Sequence, residues 1–133
     1  PGAKEAGVGQ YLMDMIKDCT DRKTQNRFLD GLKDLVQYTQ DKYNKPYEIC
    51  SVEEQIVVMK HFQEKGKPYK GIIGKAQNKF LGKSFFTTLK EYTVTGYCTS
   101  QLGATQGLAS LPVPGPYIGC TTLTKGQKSW ATK

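Results

Sequence analysis

The side chains best suited to nucleophilic, acid–base or metal chemistry in this sequence are its one histidine, His61, and four cysteines, Cys19, Cys50, Cys98 and Cys120. A single histidine excludes a His-rich metal site and any mechanism that needs a histidine pair. The cysteines stand 31, 48 and 22 positions apart, with no Cys-x-x-Cys pair. Zinc and iron–sulfur ligation nearly always uses one such close pair, so a four-cysteine metal site is not expected. Two readings of the thiols stay open: two disulfides in one of three connectivities if the chain is exported, or four small hydrophobes. Composition does not decide the compartment.

His61 falls between Met59 and Phe62 on a helix, where a satisfied, half-buried imidazole is expected. Cys98 and Ser100 have no base beside them in sequence, and only folding could bring His61 near. No Gly-x-Ser-x-Gly elbow or P-loop occurs, and Gly66, Gly71 and Gly74 do not follow a strand and open a helix as a dinucleotide fingerprint requires. Acidic residues alternate with lysines, as Asp30 and Asp34 do with Lys33, the pattern of a solvated helix face. A catalytic constellation cannot be assembled, which leans against an enzyme.

The elements that must position these residues are helical. At 133 residues, 38% hydrophobic and 23% charged, the chain suits one globular domain, and no apolar run is long enough for a bilayer. Residues 1–8 read as an extended start; lacking an initiator Met, the chain is expected to be a processed or trimmed product. Tyr11, Leu12, Met15, Ile16 and Cys19 recur at helical spacing and predict a helix over about 9–19. Thr20 or Asp21 can cap a second helix to about Asn44, with Phe28, Leu32, Leu35, Val36 and Tyr43 as its apolar stripe. Lys45-Pro46 ends it, because the residue before proline is pushed out of the α region. Ser51 and Glu54 form a capping-box pattern ahead of Ile56, Val57, Met59, His61 and Phe62, a third helix that ends near Lys65-Gly66.

A lysine- and glycine-rich connection follows. A fourth helix is expected from near Asn78 to about Ser100, burying Phe80 or Leu81, Phe85, Leu89, Tyr92 and Gly96, with strand as the alternative for 92–98. Its threonines are poor helix formers, so packing must hold it. The expected architecture is all-α: four main helices in a small orthogonal or bundle-like domain, a helical core over about 9–108, and an irregular Pro/Gly-rich tail over 109–133 packed across it. Three prolines in Pro112–Pro116 exclude a regular helix there, yet the tail's apolar side chains want burial, against the core or on a partner.

The net charge of +7 is unevenly placed. Up to Gly66 there are ten Lys/Arg against eleven Asp/Glu, net −1; beyond it, nine against Glu91 alone, net +8. Most of that excess is Lys67, Lys70, Lys75, Lys79, Lys83 and Lys90, and Lys65 just before Gly66 extends the same stretch. Readers of nucleic acid favour arginine for bidentate base contacts and aromatics for stacking, and this stretch has no arginine. A solvated or partner-facing loop is the better reading, and nucleic acid is not expected as a partner.

The segment from Phe85 to Cys120 carries a resemblance. Phe85-Phe86-x-x-Leu89-Lys90-Glu91-x-Thr93-x-x-Gly96-Tyr97-x-Thr99-Ser100-x-x-Gly103-Ala104, followed by Pro112-Val113-Pro114-Gly115-Pro116-Tyr117-Ile118-Gly119-Cys120, resembles the gluconate 2-dehydrogenase subunit 3 family. Trp130 stands where that family's closing tryptophan tends to be, and the helix ending in Asp18-Cys19 before a charged helix with Phe28 and Leu32 is similar too. Cys98 and Gln101 depart from the pattern, which usually has an aromatic and an acid there.

The resemblance implies a non-catalytic subunit of an exported, FAD-dependent sugar or sugar-acid dehydrogenase. The FAD would lie in a large flavoprotein partner and haem in a cytochrome c subunit, with no cofactor or metal in this chain. Such a subunit assists maturation and export of the flavoprotein, often under a twin-arginine leader; none is visible, so the leader is expected to be removed or left out, and the location periplasmic or at the cell envelope. It also implies docking or motif roles for Tyr97, Thr99, Ser100, Gly103, Pro112, Pro114, Gly115, Tyr117, Cys120 and Trp130. An exported setting favours a Cys19–Cys120 disulfide, with a bond from one cysteine to the partner chain as the competitor. Thr99 and Ser100 could equally just cap the fourth helix and start the next turn. Two other function classes remain: a free-standing helical protein that binds an acidic partner or surface through the 65–90 lysines, and an enzyme in its own right.

Overall fold

The structure, a computed structural model, describes residues 1–67, 82–111, 113, 115–116 and 118–131. Four substantial helices form: α1 (Val8–Asp18), α2 (Arg22–Tyr43), α3 (Val52–Lys65) and α4 (Phe85–Thr99). No strand is found among the described residues, so the chain is all-α, and residues 92–98, where strand was the alternative, are helical. The residues fall into two compact units, Asp14–Glu91 on one hand and Pro1–Met13 with Tyr92–Lys133 on the other.

In the Asp14–Glu91 unit, local chemistry sets each helix end. Gln25 Nε2 donates to the Ile16 and Lys17 carbonyls, covering acceptors that the end of α1 leaves orphaned, and Thr20 Oγ1 donates to the Met15 carbonyl, which also accepts the Cys19 N–H. Asp21 caps α2 by accepting the Thr24 N–H at 3.0 Å, and this bonding holds its carboxyl below the usual range. Asn44, at φ 52°, closes α2 in the left-handed conformation, and Pro46 keeps the helix from resuming. Ser51 and Glu54 form the expected capping box. Lys45 meets Glu54 at 2.7 Å and is the main reason the Glu54 carboxyl is held low. The box therefore contributes fully above the ordinary carboxylate range and weakens as pH falls through it.

Packing corrects the faces read from periodicity. On α2 the buried residues are Thr24, Phe28, Leu35 and Thr39, whereas Leu32 and Val36 are exposed. On α3 they are Val58 and Phe62, whereas Ile56 and Val57 are exposed. The apolar pattern was wider than the contact stripe, and two threonines lie inside it because Thr39 Oγ1 donates to the Leu35 carbonyl and Thr24 Oγ1 accepts the Lys83 N–H. The centre is aromatic: Phe85 lies 5.2 Å from Phe28 and 5.8 Å from Phe62, ring centre to ring centre. Gly31 lets Phe85 approach the α2 backbone, since any Cβ there would overlap Phe85 Cβ.

The expected start of α4 near Asn78 lies outside the described residues, but residues 82–84 are not helical and the helix opens at Phe85. Gly82, at φ +78°, presses against the Thr24 backbone, a conformation and an approach that suit glycine. Arg27 Nη1 donates to the Gly82 carbonyl, and Ser84 Oγ accepts the Thr87 N–H as a cap for α4.

Candidate docking surface

In the unit built from the two chain ends, the Gly96–Gly107 stretch is a knot of close backbone contacts. Gly96 rests against the Tyr11 ring, where a side chain would meet Tyr11 Cδ1 at 2.5 Å. Ser100 Oγ donates to the Tyr97 carbonyl at 2.7 Å and accepts the Gly103 N–H at 2.9 Å. Gly103 then lies so close to the Tyr97 carbonyl that a Cβ would overlap its oxygen. The chain widens into a π-helical run, Gly103–Gly107, closed by the Leu108 N–H on the Gly103 carbonyl at 2.8 Å. The Tyr97 hydroxyl donates to the Pro1 carbonyl at 2.9 Å, and Gly107 is packed against that hydroxyl. Tyr97, Ser100 and Gly103 are thus brought together as a structural staple. Thr99 is not part of it: it is exposed, with Oγ1 bonded to the Thr95 carbonyl of its own helix.

The staple launches the tail, which turns back on itself. The Ala109 N–H donates to the Ser129 carbonyl and the Ala131 N–H to the Ala109 carbonyl, both at 2.8 Å, so Ala109 and Trp130 form an isolated parallel bridge. Lys128 Nζ reaches the Gln106 carbonyl at 2.6 Å beside it. A turn at Thr124–Gln127, with Gly126 at φ +81°, reverses the chain shortly before the bridge. Every described residue from Leu111 to Trp130 is exposed, including Val113 at 83%, Ile118 at 70% and Leu123 at 81%. Among the described residues these apolar side chains are left uncovered.

Of the residues expected in docking, Pro112, Pro114 and Tyr117 lie outside the described residues. Gly115 has open space around it, Cys120 is exposed and Trp130 is half exposed. Cys19 and Cys120, the expected disulfide pair, lie in different units; both are free, exposed thiols, and Cys50 and Cys98 are free as well. Sequence reasoning passed over Val113, Ile118 and Leu123. The signal for them was electrostatic: from Tyr92 to Thr124 the chain has no Lys, Arg, Asp, Glu or His at all.

Residues that could do chemistry are placed differently from expectation. His61 is exposed rather than half buried, its ring stacked on Tyr38 at 4.2 Å and nearly parallel. Among the described residues no group of three or more His, Cys, Asp or Glu is placed to hold a metal ion. The described lysines of the basic stretch are largely engaged, Lys65 with Asp34 at 3.0 Å, Lys67 with Glu64 at 2.6 Å and Lys83 with Glu91 at 2.5 Å. No helix is long and apolar enough to cross a membrane among the described residues.

Comparison with known proteins gives one match. The family model for gluconate 2-dehydrogenase subunit 3 matches residues 1–115. It takes in the helices before Phe85, where the resemblance had rested on pattern, and the whole staple, and it stops short of Tyr117, Cys120 and Trp130. Neither a curated protein nor a solved structure matches the chain.

Proposed function

Because the chain belongs to the gluconate 2-dehydrogenase subunit 3 family, we propose that it is a non-catalytic accessory subunit of a periplasmic, FAD-dependent dehydrogenase of the gluconate or sugar type. Its role is to assist maturation, export and stability of the catalytic flavoprotein. The FAD lies in that partner, and a cytochrome c subunit takes the electrons where one is present. The observation that carries the reading is the family match over residues 1–115, which spans both compact units. The tail from Leu111 to Thr124, exposed at every described residue and without charge, supports it, since a surface of this kind is stable in water mainly when a partner covers it.

The competing reading, a lysine-rich binding segment on a free-standing protein, loses support from the ion pairs of Lys65, Lys67 and Lys83 with this chain's own carboxylates. These pairs are exposed and contribute little to stability, but they reduce the net charge offered to an outside polyanion.

Purification of the chain from the native cell envelope tests the subunit reading. A large subunit with flavin absorbance is expected to accompany it in about equal amount, and turnover of gluconate or a sugar with a dye acceptor is expected in that fraction and not in the isolated chain. Recovery of the chain alone, or turnover by the chain alone that His61→Ala abolishes, would contradict the reading.

A further inference from the structure

We propose that the closed loop between Ala109 and Trp130 is a preformed docking arm whose Val113, Ile118 and Leu123 side chains seat in an uncharged, apolar groove on the catalytic dehydrogenase subunit. The inference rests on the accessory-subunit reading and adds to it the surface used and the chemistry of its occupant.

Exposed hydrophobic residues are ordinary when scattered singly. Here three large aliphatic side chains, each at least 70% exposed, stand on one loop whose described residues from Leu111 to Trp130 are all exposed. The charge pattern selects the occupant. The loop carries no charge until Lys125, and the chain has no acidic residue after Glu91. A charged groove would be desolvated against this surface with nothing to pair with, at a cost of several kcal/mol per buried ion. An apolar groove loses no such interaction and gains the burial of three side chains. The loop's charges come only at its end: Lys125 in the Thr124–Gln127 turn, and Lys128 beside the Ala109–Trp130 bridge, held by the Gln106 carbonyl. Positive charge is thereby kept to the rim, where interfaces are normally polar.

The closure also matters. Two backbone hydrogen bonds at Ala109 and the Lys128–Gln106 bond fix both ends of the loop before a partner arrives. Ordering the ends in advance lowers the entropy lost on association. The exposed α2 residues Leu29, Leu32 and Val36 are the alternative surface, but Asp30 and Lys33 lie among them and form an ion pair, so that face is mixed in charge.

The test uses the full chain and a tagged flavoprotein subunit of a gluconate or sugar dehydrogenase from the same cell, with affinity measured in solution. The substitutions Val113→Ser, Ile118→Ser and Leu123→Ser together remove only exposed side chains and should leave the helical circular dichroism unchanged. They are expected to weaken binding by roughly a hundredfold or more. The control Leu32→Ser with Val36→Ser is expected to bind within about threefold of wild type, and salt up to about 0.5 M to change affinity little. If wild type binds and the loop variant binds equally well, the docking arm is wrong while the subunit reading stands. A steep loss of wild-type affinity with salt would overturn the apolar groove in favour of charge-driven docking. If wild type does not bind the flavoprotein at all, the arm and the subunit reading fall together.

Discussion

Gly103→Ala is expected to collapse the unit formed by the two chain ends, with a loss of about 4 kcal/mol, at the exceptional end of single substitutions. The reason is geometric. A Cβ at residue 103 overlaps the Tyr97 carbonyl oxygen, and Tyr97 Cα–C backbone cannot swing aside as a flexible side-chain tip can. Relief requires moving the end of α4 or the π-helical run, and either movement breaks the Ser100 bridge to the Tyr97 carbonyl and the Gly103 N–H. It also shifts Tyr97, whose hydroxyl holds the Pro1 carbonyl. Urea unfolding followed by circular dichroism should show a large drop in midpoint, and protease cleavage should appear first near residues 100–110. A midpoint within about 0.5 kcal/mol of wild type would mean that the staple is not as tight as the geometry requires. Thr99→Ala is the matched comparison: its exposed hydroxyl bonds only within its own helix, so little change is expected.

Phe85→Ala is expected to cost about 3–5 kcal/mol in the other unit. Phe85 is 6% exposed, stands against the rings of Phe28 and Phe62, and covers Gly31 of α2. Its removal leaves a cavity between three elements that end in capped, fixed geometries, so collapse into the space is limited. Phe85→Leu keeps most of the volume and should cost less than about 1.5 kcal/mol. Trimming the ring does not make room at Gly31, because the nearest atom there is Phe85 Cβ, which alanine retains. Gly31→Ala should therefore remain destabilising in the Phe85→Ala background, and a double-mutant cycle reads this directly. Loss of the Gly31 effect in that background would place the clash on the ring instead.

Much of the fold was legible because local chemistry fixes helix ends. Asp21, Ser51 with Glu54, and Lys45-Pro46 each act within a few residues, and all appear in their expected roles. The buried faces were less legible. Periodicity places Leu32, Val36, Ile56 and Val57 on apolar stripes, but which part of a stripe is covered depends on the partner element. Thr24 and Thr39 are buried where sequence suggests solvent, since a hydroxyl bonded to its own helix or to a neighbouring backbone can enter a core. The start of α4 was read too early: Gly82 and Ser84, which fall inside the helix expected from near Asn78, are the close turn and the cap that precede it.

The candidate site was half legible. The Gly96-Tyr97-x-Thr99-Ser100-x-x-Gly103 spacing signalled a specific backbone arrangement, and the structure shows that Tyr97, Ser100 and Gly103 serve it together. Which tail residues face solvent could not be read, because alternation has no meaning in a proline-broken segment and the Ala109–Trp130 bridge depends on long-range closure.

The central claim is that a flavoprotein dehydrogenase depends on this chain. Co-expressing that large subunit with its export signal, with and without this chain, measures the dependence most directly through periplasmic flavin-loaded protein and its dye-linked turnover. The account predicts at least about a tenfold higher yield of both when the chain is present, and no turnover from the chain alone. Equal yield of active, exported flavoprotein in its absence would contradict it.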